Sequence, residues 1–182
     1  DSLESMGRLG DALAHYGELP VFVFGGIPGE EVIAEVVRHP RQYIAAQVVE
    51  VVSPSQYRVS SPCGYFGQCT GCQWQHIEYA HQLRLKSDAV QKELTKYSRL
   101  SKIEVSETRP SSQRFMYRNH ARFTVRFGGQ LGFSNRTTRR FVRIDECMLM
   151  SPHINEALAC LQDKCSETTN VSIRCGINTG QM

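Results

Sequence analysis

The sequence has no run of about 18 apolar residues, which excludes a conventional membrane-spanning helix. Its first residues, "DSLESMGRLG", have neither a basic stretch nor an apolar core, so no secretory signal is visible in them. No internal repeat and no low-complexity tract is present, which excludes solenoid and disordered-tail architectures. Charged residues make up 21% and hydrophobic residues 41%, an ordinary soluble globular balance. An initiator methionine is missing, and the last residues, "SIRCGINTGQM", read as an interrupted strand. Both ends are therefore expected to be cuts in a longer natural protein.

Acidic residues and lysine are absent from residues 109–143, where all nine charged side chains are arginine. The net charge of +3 hides this local excess, because residues 1–62 carry four basic and eight acidic side chains. A cation-only window of this kind is the electrostatic footprint of a polyanion site. Solvated surface arginines, or arginines paired with the acidic N-terminal segment, are the bland alternative.

The seven cysteines are an odd number, and without a secretory signal they point to a reducing, cytoplasmic compartment and to metal binding rather than disulfides. Three of them fall in "CGYFGQCTGCQWQH", at C-x5-C-x2-C. Thiolates this close repel one another and need a cation. Zinc could take Cys63, Cys69, Cys72 and either His76 or a distant cysteine. An iron–sulfur cluster would take the same three and a remote fourth, and suits the wider x5 loop with its glycines Gly64, Gly67 and Gly71. No second C-x2-C is present to complete the usual pair of zinc knuckles. Cys160, Cys165 and Cys175 show no ligand spacing and are read as small core residues. Trp74 is expected to pack over the metal loop rather than stack on a ligand, and His76 to be a hydrogen-bonding loop residue.

Periodicity predicts an α+β chain that is mainly β. "LPVFVF" (19–24), "EVIAEVV" (31–37) and "YIAAQVVEVV" (43–52) read as strands, with "GGIPGE" as a turn; together they suggest a small barrel of the oligonucleotide-binding type. "SPSQYRVSSPC" has linker composition. Residues 78–99 read as a packing helix with Tyr79, Leu83, Val90, Leu94 and Tyr97 on one stripe. "FMYRNHARFTVRF" (115–127) alternates: Tyr117, Ala121, Phe123, Val125 and Phe127 on one face, Arg118, His120, Arg122, Thr124 and Arg126 on the other. Gly128–Gly129 marks a hairpin, and 131–133 and 139–144 continue an antiparallel meander. Ser151 and Pro152 mark the start of a helix over 151–162.

"CGYFGQCTGCQWQHIEYAHQLRLK" resembles the cysteine loop of bacterial RNA (uracil-C5)-methyltransferases, enzymes with a TRAM barrel, a [4Fe-4S] cluster and a C-terminal S-adenosylmethionine-dependent domain. "GELPVFVFGGIPGEEVIAEVV", "YRNHARFTV" with "LGF", and "IDECMLMSPHINEAL" resemble further stretches of that family in the same order. The resemblance implies Cys63, Cys69, Cys72 and Cys147 as cluster ligands. It implies a TRAM-like barrel over 1–60 and an iron–sulfur, RNA-binding domain over 61–182, with a Rossmann-like methyltransferase domain expected after residue 182. The nucleophilic cysteine, the general base and the S-adenosylmethionine loop of that family are not found in this chain. RNA is the implied partner, ribosomal rather than transfer RNA, with no membrane and no signal for oligomeric state. Arg118, Arg122, Arg126, Arg136, Arg139, Arg140 and Arg143 are the expected RNA contacts, and Arg38, Arg41, Tyr43 and Arg58 the expected contribution of the barrel. A radical S-adenosylmethionine enzyme is disfavoured by the x5 spacing and by the N-terminal barrel. A stand-alone RNA-binding protein with a structural zinc or iron–sulfur site, and a tRNA uracil-C5 methyltransferase, are the other readings.

Overall fold

The computed structural model describes residues 2–7, 9–69, 71–135, 138–176, 178–179 and 181. The chain forms two compact units, one of residues 1–62 and 72–110, the other of residues 63–71 and 111–182. Its described residues are mainly β with two helices, an α+β composition.

The first unit is built on strands β1 (Ser5–Met6), β2 (Ala12–Tyr16), β3 (Leu19–Phe24), β4 (Glu31–Arg38) and β5 (Ile44–Ser53), in the sheet order β1-β2-β3-β5-β4. The β3–β5 pair is parallel and the others are antiparallel. An isolated antiparallel bridge, Ser2 with Glu31, links the two edges of the sheet. The three expected strands fall within about a residue of β3, β4 and β5, because their β-branched residues alternate cleanly. Sequence reasoning missed β1 and β2; "ALAHY" is short and has no β-branched residue. The core of this sheet is Leu3, Ala12, Ala14, Val23, Val32 and Ala46.

Helix α1 (Tyr79–Thr95) also belongs to the first unit. Leu85 is its buried residue, packed with Ile27 and Ile77 and flanked by Met6 and Trp74. The expected stripe is corrected here: Val90 and Tyr97 are exposed. The C-terminal half of the helix is instead tied down by a polar contact, with Gln91 bonding the Ile103 carbonyl and the Val105 N–H.

The second unit holds β6 (His120–Arg126), β7 (Gln130–Ser134), β8 (Phe141–Arg143), α2 (Pro152–Leu161) and β9 (Asn170–Arg174), with sheet order β8-β7-β6-β9, all pairs antiparallel. The expected period-two alternation holds inside β6: Ala121, Phe123 and Val125 are buried, and they pack with Leu131, Ile144, Ile154, Leu158 and Ile173. It fails at both ends. Met116 (φ 57°) and Phe127 (φ 48°) leave the β region, so Tyr117 and Phe127 are exposed instead of joining the core.

Helix α2 begins where Ser151 and Pro152 indicate, but Ser151 makes no side-chain cap; its Oγ is buried and unpaired among the described residues. The Ile154 and Asn155 N–H groups bond to the Ser151 carbonyl instead. Cys160 lies on the exposed side of α2, contrary to the expected core placement, because Ile154 and Leu158 define the buried side.

Candidate metal centre and nucleic-acid interface

The loop of residues 63–69 is folded on itself. The Phe66 N–H bonds the Cys63 carbonyl at 3.1 Å and the Cys69 N–H bonds the Tyr65 carbonyl at 2.7 Å, around a positive φ of 87° at Gly67. A glycine at this corner avoids the steric cost that a Cβ would carry. Asn135 pins the loop by donating to the Gln68 carbonyl at 2.7 Å, and Tyr65 shares a hydrogen-bond pair with Asp145.

Cys69 and Cys147 both pack against the core of the second unit. Asn155 of α2 holds the Cys147 backbone from both sides, accepting from its N–H at 3.0 Å and donating to its carbonyl at 3.1 Å. Burial pushes the Cys69 thiol above its ordinary range, and the charges of Cys147 and Cys63 push it further; a Gly71 backbone hydrogen bond and Arg118 oppose this. Cys63 and Cys147 are thus each within electrostatic reach of Cys69. None of the seven cysteines forms a disulfide. Cys72 belongs to the first unit, where its sulfur accepts from Gln75 at 3.3 Å.

A set of soft sulfur donors fits zinc or an iron–sulfur cluster and not a hard cation. As thiolates, Cys63 and Cys147 would repel a charged Cys69, and a soft cation is what relieves that repulsion. Among the described residues, however, no three His, Cys, Asp or Glu side chains stand in the closed arrangement of a finished metal site.

The sheet of the second unit presents the arginines. Register puts His120, Arg122, Thr124 and Arg126 of β6 on the face away from the core, beside Asn170, Ser172 and Arg174 of β9. On the other side, Arg126 pairs with Gln130, and Gly132 pairs with Arg143. Arg118 precedes β6. Its backbone is fixed by Leu149 and Ser151, and its guanidinium reaches the Gly71 carbonyl at 3.3 Å, next to the thiol loop. Arg139 and Arg140 are exposed in the β7–β8 turn. Arg136 lies outside the described residues.

Arg143 differs from the others. It is held by Asp145 at 3.0 Å and Asp163 at 2.9 Å, which raise its pKa further. Counting charge within 109–143 missed these partners because both lie beyond that window. Arg174, absent from the sequence-based set, faces outward opposite His120; the alternation of "NVSIR" was the signal that could have found it.

In the first unit, Arg58 is half-buried and turned to the protein's own acceptors. Its guanidinium binds Glu30 at 2.5 and 2.6 Å and the Gly25 carbonyl at 2.7 Å. Arg38 and Arg41 are exposed, and Tyr43 packs edge-on against Phe22. Trp74 does pack, but within the first unit, donating to the Gly10 carbonyl at 2.8 Å. His76 is buried; burial, then the Arg58 charge, lower its pKa to about 4, against a Gly26 hydrogen bond and the Glu30 charge.

No family model matches the chain. It is 33% identical over 150 residues to an uncharacterized RNA methyltransferase of Aquifex aeolicus, covering 79% of this chain and 35% of the relative. It is 31% identical over 176 residues to an uncharacterized RNA methyltransferase of Bacillus anthracis, covering 94% of this chain and 38% of the relative. To the 23S rRNA (uracil(1939)-C(5))-methyltransferase RlmD of Vibrio cholerae it is 29% identical over 171 residues, covering 91% of this chain and 38% of the relative. The chain therefore spans little more than a third of the length of these curated relatives. In fold it matches the Pyrococcus abyssi tRNA (uracil-54, C5)-methyltransferase, solved with S-adenosyl-L-homocysteine, at a TM-score of 0.70 and 22% identity, over 98% of this chain and 43% of that one.

Proposed function

Because this chain is homologous over most of its length to proteins named as RNA methyltransferases, we propose that it is the RNA-gripping, thiolate-rich portion of an S-adenosylmethionine-dependent RNA (uracil-C5)-methyltransferase. The observation that carries the reading is the two-sided sheet of the second unit. One face is core, and the other aligns Arg122, Arg126 and Arg174 over neighbouring strands. Arginine suits this task because its planar fork binds phosphate in two-pronged fashion and also stacks on bases.

The substrate class is ribosomal RNA. The support is sequence homology to the Vibrio cholerae relative, whereas the likeness to the tRNA enzyme is one of fold. Arg118, Arg122, Arg126, Arg139 and Arg140 are the proposed backbone contacts, joined by Arg174. Arg136 stays in the set on sequence grounds. Arg143 serves mainly to brace the sheet edge through its two carboxylates. The five-stranded sheet with its Ser2–Glu31 bridge is read as a TRAM-like barrel over about residues 1–60. Its acidic balance and the engagement of Arg58 by Glu30 leave Arg38 and Arg41 as its cationic contributions.

Cys63, Cys69, Cys72 and Cys147 would hold a [4Fe-4S] cluster, which would supply a rigid cross-link and not electrons, since methyl transfer to uracil moves none. The chain's own residues then fix the RNA. Arg118, tied to the thiol-bearing loop through Gly71, couples that cross-link to the grip. A uracil must leave its stack before its C5 is accessible, and a surface that clamps flanking phosphates stabilises the distorted loop. S-adenosylmethionine, the nucleophile and the general base are assigned to a segment outside these 182 residues, in a cytoplasmic enzyme. Cys160, Cys165 and Cys175 take no part: the first is exposed on a helix, the second donates to Leu161, and the third is core.

The test is to incubate the intact protein with S-adenosylmethionine and separate 23S rRNA and tRNA transcripts, and to measure 5-methyluridine by mass spectrometry. Methylation of rRNA is the expected result. Methylation of tRNA alone overturns the substrate assignment, and RNA binding without methylation of either returns the protein to a stand-alone RNA-binding role.

A further inference from the structure

One aromatic pair on the second unit belongs neither to the core nor to the arginine row. Phe127 is 76% exposed and has φ 48°, a left-handed backbone that a bulky side chain rarely adopts. It is followed by Gly128 and Gly129, both also at positive φ. A Cβ on Gly129 would come within 2.9 Å of the Asp163 backbone, so the turn is pressed against the chain beyond α2 and cannot relax freely. This conformation turns the Phe127 ring toward Phe141 of β8, with centroids 5.7 Å apart and planes at 73°.

Register puts Phe141 on the outward face, since it pairs with Ser134 while Arg143, two residues on, pairs with Gly132. Gly132 is what lets the ring lie flat: a Cβ there would stand 2.9 Å from Phe141 Cζ and still closer to the Val142 carbonyl. The backbone of β7 thus forms a bare seat under one ring, and a strained turn carries the other into solvent. Arg126 and Arg122 share this face. The nearby carboxylates Asp145 and Asp163 are both engaged by Arg143, so their charge is offset.

An apolar ring held in water amid arginines suits a ligand that is flat, apolar on its face and anionic along its edge. Building on the RNA-gripping reading above, we infer that Phe127 and Phe141 form a stacking site for one unpaired nucleobase of the RNA, with Arg126 and Arg122 meeting the flanking phosphates. The occupant is an unpaired base and not a duplex, because a paired and stacked base has no free face to offer. Base–aromatic stacking tolerates any base, so the site selects for single-strandedness and leaves sequence to other contacts.

The test uses the intact protein and two probes: a roughly 12-nucleotide single-stranded RNA carrying 2-aminopurine at one scanned position, and a blunt duplex of the same length. Phe127→Ala is expected to weaken binding of the single strand about tenfold or more, to abolish the protein-induced change in 2-aminopurine emission at one position, and to leave the salt dependence and duplex binding unchanged. Phe127→Trp is expected to restore both. Because Phe127 is exposed, the alanine variant should keep the parent's melting temperature. Single-strand binding within twofold of the parent by a folded Phe127→Ala protein overturns the stacking site. So does an equal loss for strand and duplex. The Arg122→Gln/Arg126→Gln protein separates the two levels of the argument: if it binds weakly while Phe127→Ala binds normally, only the stacking site fails, and if both bind normally, the RNA-facing sheet fails with it.

Discussion

Arg58 grips the fully buried carboxylate of Glu30 with two nitrogens, Nε at 2.5 Å and Nη2 at 2.6 Å, while the same Nη2 holds the Gly25 carbonyl. The Ile27 and Ser55 N–H groups donate to the same carboxylate. A residue expected to face RNA therefore bolts the Gly25–Glu30 turn to the segment after β5. Arg58→Met should destabilise the first unit by roughly 3 kcal/mol, because it leaves a buried charge without its partner. The paired change Arg58→Met/Glu30→Met should recover much of that loss. Urea unfolding of the single and double variants measures it.

Acid should weaken the same unit in two steps. His76 is buried with a pKa of about 4, against about 6.5 when unfolded. The unfolded chain binds this proton first, so stability is complete above pH 6.5 and is lost as pH falls toward 4, by about 3 kcal/mol in total. Burial alone would raise the Glu30 pKa, but Arg58 and the Ser55 and Ile27 N–H groups outweigh it and lower the value, so its contribution is lost at still lower pH. His76→Gln should flatten the decline between pH 6.5 and 4, read as urea midpoints across that range.

RNA affinity should separate Arg118 and Arg122 from Arg143, whose charge two carboxylates already offset. Arg118→Gln/Arg122→Gln should weaken binding and reduce the slope of log affinity against log salt by about 0.7–0.9 per lost phosphate contact. Arg143→Gln should change the slope little, since Asp145 and Asp163 already neutralise it, but should lower the melting temperature slightly. Filter binding over a salt series distinguishes the two classes.

Iron should follow four cysteines and ignore three. Anaerobically purified protein is expected to contain iron and acid-labile sulfide. Cys147→Ser should lose both, whereas Cys160→Ser, at an exposed helix position, should keep them. Zinc without sulfide in the parent would replace the cluster by a single ion on the same thiols.

Sequence made some of this legible and hid the rest for identifiable reasons. β3, β4 and β5 were readable from their β-branched runs, α1 from a long stretch without glycine or proline, and α2 from its Ser151–Pro152 start, although the stripe expected on α1 misplaced Val90 and Tyr97. The alternation of β6 was right for Ala121, Phe123 and Val125, and wrong for Tyr117 and Phe127, because positive φ at Met116 and Phe127 is a tertiary constraint that hydropathy does not encode. The thiol loop could be seen in its spacing, and the holding of Cys147 by Asn155 could not, since it depends on how the turn before α2 brings the first turn of the helix back against Cys147. The arginine row was visible as composition. Which arginine is neutralised depended on Asp145 and Asp163, neither of them in that row.

The division of the chain at 62/63, 71/72 and 110/111 also has a consequence during synthesis. Cys69 leaves the ribosome 78 residues ahead of Cys147. At about 5–20 residues per second, this is a delay of about 4–16 s. During that interval the strands β6, β7 and β8 are only being made, and β9 is still to come when Cys147 emerges, so the early cysteines wait in an unfinished unit, open to any oxidant or stray ion in their surroundings.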